Sequence, residues 1–183
     1  SSNDYNASLP VIGGYFVNIE NREVRVGNPG GFDIYMNNKE LIGGVILELN
    51  INNSNLITDW EVHPTQRTVD WVFSDMYDNG KISIAGFGPL AGAAPINAGN
   101  GPILTVIFEN NIQENRKIDF EFTDAQIQNI EIPIQQILHS LQLYRGGSVT
   151  FYEPPMTPEG LELTFDNGIH LTWIENADDD FSH

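Results

Sequence analysis

Apolar and polar residues alternate with a period of two along most of this chain. In "FDIYMNN", Phe32, Ile34 and Met36 share one face, and in "RKIDFEFTDAQIQN", Ile118, Phe120 and Phe122 do the same. Alternation broken by Gly, Pro, Asn and Asp clusters is the pattern of half-buried strands joined by turns. "YFVNIENREVRV" (residues 15–26) reads as one such run, stopped by "GNPGG". "LIGGVILELNIN" (41–52) carries Gly43-Gly44, which inside a strand predicts a bulge or a close backbone approach. "NLITDWEV" and "RTVDWVFSDMYDNGKISIAGFG" follow, and Asp78-Asn79-Gly80 between two β-rich runs predicts a hairpin. After the Gly/Ala/Pro loop "GPLAGAAPINAGNG" come the strands "PILTVIFE", the Ile118 run and "GGSVTFY". About nine or ten short strands at this spacing predict an all-β antiparallel sandwich.

"PIQQILHSL" (133–141) is the one helical candidate, a turn or two with Pro133 at its start. "EPPMTPEG" (153–160) reads as an extended, semi-rigid linker, because its prolines fix φ and remove backbone donors. Beyond it, Leu161, Leu163 and Phe165 alternate before Asp166-Asn167-Gly168, and Ile169, Leu171 and Trp173 alternate after it. This is a β-hairpin extension with a full apolar face, and an isolated hairpin is marginal in water. The expected organisation is an N-terminal extension and candidate donor strand (1–21), a sandwich (22–152), the linker (153–160) and the hairpin (161–183).

Charge narrows the function. The chain of 183 residues has 25 acidic against 8 basic residues, a formal net charge of −17. Such a field repels phosphate backbones and anionic lipid, so nucleic acid is excluded as a partner. With 40% hydrophobic residues there is enough apolar surface for a core. There is no cysteine, hence no disulfide and no thiolate metal site. No apolar run reaches the roughly 18 residues that span a bilayer, so membrane insertion is not expected. The start at "SSNDYNASLP" reads as a processed mature end.

Several pieces, taken in order, resemble the cohesin-like family of extracellular β-sandwich modules: "GGFDIYMNN", "IGGVILELNIN", "LITDWEV", "DNGKISIAGFG", "GNGPILTVIFE", "DFEFTDAQIQN" and "GGSVTF". The resemblance spans about residues 22–152 and implies a cohesin-like or jelly-roll sandwich. "PPMTPEGLELTFDNGIHLTWIENADDDF" resembles the first two strands of a fibronectin type III domain. That resemblance implies an exported, multi-module setting, extracellular or on the cell surface.

Catalytic signatures are missing. His63, His139, His170 and His183 lie in no metal or triad spacing, and there is no GxSxG, P-loop or GxGxxG. The chain is therefore read as not an enzyme. Calcium is the candidate cofactor, since hard cations take carboxylate and carbonyl oxygens. Asp178, Asp179 and Asp180 are adjacent and repel one another unless a cation relieves them, and Asp75 with Asp78 forms a second group. The competing reading of each group is a solvated acidic turn. Trp60, Trp71 and Tyr77 are candidate sugar-stacking rings, although alternating strands more often turn such rings inward. Asn6 and Asn52 head N-x-S sequons.

Two functions follow. In the first, the hairpin residues Leu161, Leu163, Phe165, Ile169, Leu171 and Trp173 add to a sheet edge of another copy. That would make a self-associating, calcium-stabilised filament or surface layer. In the second, the chain is a cohesin-type protein-binding or carbohydrate-binding module of a larger secreted protein.

Overall fold

A computed structural model describes residues 15–88, 92–129, 138–140, 143–154, 162–165 and 168–172. Two compact units divide the chain, Ser1–Tyr152 and Glu153–His183. In the first, strands β1 (Tyr15–Ile19), β2 (Arg22–Arg25), β3 (Gly30–Asn38), β4 (Ile42–Ile51), β5 (Ile57–Pro64), β6 (Val72–Asp78), β7 (Lys81–Phe87), β8 (Gly99–Asn110), β9 (Arg116–Asn129), β10 (Leu138–Ser140), β11 (Tyr144–Arg145) and β12 (Gly147–Tyr152) form two sheets. The smaller sheet has the order β11-β1-β3-β8-β5. The larger runs β2-β12-β9-β4-β7-β6, with β10 also paired to β9. Among the described residues there is no α-helix, only two short 3-10 turns at Ser54–Leu56 and Gln66–Thr68.

The alternating apolar positions form the layer between the sheets. Phe32, Ile34 and Met36 are fully buried, as are Leu47, Leu49, Ile82, Ile84, Ile118 and Phe120. Aromatic rings centre this layer: Phe32 lies 4.4 Å from Phe120, centroid to centroid, and Phe108 lies 5.8 Å from Phe120. Such contacts add to the area they bury. Irregularities sit where the alternation slips. Between Ile42 and Gly44 the register with β9 shifts, at the Gly43-Gly44 pair. A second shift opposite Glu48 and Leu49 moves the buried set of β9 from Ile118, Phe120 and Phe122 to Ala125 and Ile127. A third, in β8, buries both Ile103 and Leu104. The β6–β7 hairpin closes through Asn79 (φ 48) and Gly80 (φ 81), the left-handed pair a two-residue turn requires.

Three features differ from expectation. The run 15–26 is two strands in different sheets, because the chain crosses at Glu20-Asn21, where the Asn21 side chain accepts hydrogen bonds from the Ser148 amide and hydroxyl. β1, within the stretch read as a candidate donor strand, pairs with β3 and β11 of its own chain, burying Val17 and Ile19. Leu138–Ser140, within the helical candidate, is a strand against β9, where backbone pairing outweighs a short helix. The remainder of 133–141 lies outside the described residues.

In the second unit, β13 (Glu162–Phe165) and β14 (Ile169–Thr172) form a hairpin with Leu163 opposite Leu171 and Phe165 opposite Ile169.

Candidate functional site

Directly opposed residues of antiparallel neighbours share a face, so the registers define the outer surface of β9, β4, β7 and β6 row by row. One row is Gln128, Gly44, Phe87 and Val72, and the next is Gln126, Ile46, Ala85 and Ser74. The third is Asp124, Glu48, Ser83 and Met76, and the fourth is Glu121, Asn50, Lys81 and Asp78. Val72 and Met76 are 59% and 66% exposed, and Ile46, Ala85 and Phe87 are half-buried. A Cβ on Gly44 would lie 2.9 Å from the Phe87 ring and 3.0 Å from Gln128 Oε1, so both side chains close over this glycine and keep the face flat. The result is an apolar strip from Ile46 to Val72 and Met76, with carboxylates along one end.

The other side of β6 faces the opening of the sandwich. Asp75 and Tyr77 point there, and Trp60 of β5 meets both. Its Nε1 donates to Asp75 Oδ2 at 3.1 Å, and its ring lies 6.1 Å from that of Tyr77 at 51°. The Tyr77 hydroxyl donates to the Ser54 carbonyl. Asp75 and Asp78 are therefore on opposite faces of one strand, and Asp78 accepts from Asn79 Nδ2. Strand alternation separates this candidate metal pair. Among the described residues no three His, Cys, Asp or Glu side chains converge as a metal site would need.

The remaining candidates are dispersed. Trp71 is core, 4% exposed, its Nε1 donating to the Ala94 carbonyl. His63 pairs with Glu61 at 2.9 Å. Asn52 exchanges two hydrogen bonds with Asp119, so its amide is engaged in the fold. Asp178, Asp179, Asp180, Leu161 and Trp173 lie outside the described residues. Leu163, Phe165, Ile169 and Leu171 are placed by the hairpin register, and Ile169 is 71% exposed.

Sequence reasoning missed the outer face as a unit, since it is assembled from four strands whose registers no single segment reveals. It also missed Arg67. This guanidinium donates to the carbonyls of Met36, Gly101 and Asn97 and to Asn38 Oδ1, and its pKa is lowered by burial.

No protein-family model and no curated protein matches the sequence. Solved structures do. A non-cellulosomal cohesin from the archaeon Archaeoglobus fulgidus is 15% identical, with 76% of this chain and 92% of that chain covered at a TM-score of 0.57. A type I cohesin in complex with a dockerin from Clostridium thermocellum is 13% identical, over 76% and 94%, at 0.59. The seventh ScaB type I cohesin of Pseudobacteroides cellulosolvens is 16% identical, over 81% and 97%, at 0.56. The chain has the cohesin-like fold, an all-β sandwich of two sheets.

Proposed function

We propose that this chain is a non-catalytic module, extracellular or on the cell surface, that binds another protein on the outer face of β9, β4, β7 and β6. One observation carries the reading: Val72 and Met76 stand exposed beside half-buried Phe87, Ile46 and Ala85. An apolar strip with a polar margin is the anatomy of a protein interface. Cohesins of this fold have been solved bound to dockerins, so a dockerin-bearing protein is the partner class to test first. Titration calorimetry of the full chain against a panel of dockerin domains tests it. Binding by at least one, lost in Val72→Glu/Met76→Glu with the melting temperature retained, supports the proposal. Binding by none, or binding unchanged in the double variant, opposes it.

The exposure of Ile169 favours a second reading, self-association through the hairpin residues of 161–173, with calcium relieving the carboxylates of Asp178, Asp179 and Asp180. Its measure is oligomeric mass with calcium and with chelator. A monomer under both conditions rejects it.

A further inference from the structure

We propose that a trough at one end of the same outer face, apart from the apolar strip, binds a neutral oligosaccharide. Two clefts meet there. One, of about 390 Å³, is bordered by Asn50, Asn52, Asn79 and Lys81. The other, of about 320 Å³, is bordered by Asn21, Lys117, Gly147 and Ser148. Asp119 and Glu121 border both, which joins them across β9.

The frame of this trough is fixed. Asp119 accepts from Asn52 Nδ2 at 2.8 Å and from Lys117 Nζ at 2.6 Å. The groups left over are Glu121, Asn50 and Lys81. They stand in register on the adjacent strands β9, β4 and β7, and among the described residues none has an intramolecular side-chain partner. Neighbouring strands are about 4.8 Å apart, a spacing comparable to the length of one sugar unit. Glu121 can only accept, Lys81 can only donate, and Asn50 does both. Successive hydroxyl groups, each donor and acceptor, satisfy all three.

The lining argues against other ligands. Its apolar members, Ile51 and Phe120, are 7% and 0% exposed, so nothing there seats an apolar peptide side chain. Asp119 and Glu121, with Asp78 beside Lys81, repel an anion. With no ring to stack on a sugar face, recognition rests on hydrogen bonds and is weak.

Amide ¹H–¹⁵N spectra of the full chain, titrated with cellohexaose, xylohexaose and mannohexaose, test the proposal. The expected result is that at least one sugar, at millimolar concentration, shifts the amides of Asn50, Lys81, Asp119, Glu121 and Ser148. Asn50→Ala and Glu121→Gln should each weaken that binding about tenfold, or about 1.4 kcal/mol, with the rest of the spectrum unchanged. Val72→Glu should leave it intact, which separates this site from the protein-binding strip. Shifts from none of the sugars, or shifts located elsewhere, overturn the proposal. So does a tetralysine peptide that moves these amides where the sugars do not, since the trough would then be a cationic-peptide site.

Discussion

Trp60 Nε1 and Asp75 Oδ2, 3.1 Å apart, link β5, the edge of the smaller sheet, to β6, the edge of the larger. This bond and the Trp60–Tyr77 ring contact clip one open side of the sandwich together. Asp75 is exposed, so water replaces the indole donor at little cost. Trp60→Phe should therefore cost only about 1 kcal/mol, whereas Trp60→Ala, which also removes the ring packing, should cost roughly 3 kcal/mol or more. Urea unfolding of both variants gives the two numbers. Equal losses would mean that the hydrogen bond, not the ring, holds the edges.

Gly88 lies against Trp71 so closely that a Cβ there would be 2.1 Å from the indole Nε1. The same nitrogen donates to the Ala94 carbonyl at 2.7 Å, so moving the ring away from a new Cβ strains or breaks that bond. Gly88→Ala should cost roughly 1–3 kcal/mol through overpacking and shift the tryptophan emission to the red as Trp71 is displaced toward water. Thermal unfolding with fluorescence detection checks both. A small loss with unchanged emission would mean that the 92–98 loop yields.

Arg67 ties β3 to the 97–101 segment through four acceptors without a carboxylate partner among them. Burial lowers its pKa, so the site carries a desolvation cost that its hydrogen bonds offset. Arg67→Met leaves buried Asn38 short of a donor and should destabilise by roughly 1–3 kcal/mol. Arg67→Lys should recover only part, because an ammonium cannot span the fork of acceptors. Chemical denaturation of the pair measures this, and full recovery by lysine would show that charge alone matters.

The parts of the fold legible in the sequence are those set by period two and by turn chemistry. Phe32, Ile34 and Met36 fall in the core as the alternation requires, and Asn79-Gly80 makes its left-handed turn. Gly43-Gly44 marks a register shift, as expected of glycine in a strand. The crossing at Asn21 was not legible, since alternation continues through 15–26 while the sheet changes, and the change is held by Ser148, far away in sequence. Nor was the fate of Leu138–Ser140, where local helical pattern yields to pairing with β9. For the site the limit is the same. Val72, Phe87 and Ile46 become one surface only once β6, β7 and β4 are in register.

Tyr35 gives a prediction with a defined pH window. Its pKa is raised above the ordinary 10.0, first by burial, then by the carboxylates of Glu20 and Asp33 and a hydrogen bond with Glu20. The phenol therefore holds its proton more tightly in the folded chain than in the unfolded one. By linkage, its contribution to stability is complete below the unfolded value and is lost as pH rises through the folded value. Phenylalanine at this position has no proton to lose. Tyr35→Phe should lack the hydrogen bond to Glu20 at neutral pH, yet lose less stability than the parent as pH rises above 10.0. Urea midpoints of the two proteins at pH values on either side of that point measure the difference. The two proteins differ at this one side chain, so the gap between the curves reports Tyr35 alone. A gap that stays constant through the alkaline range would show that neither burial nor the carboxylates of Glu20 and Asp33 raise the pKa of this phenol.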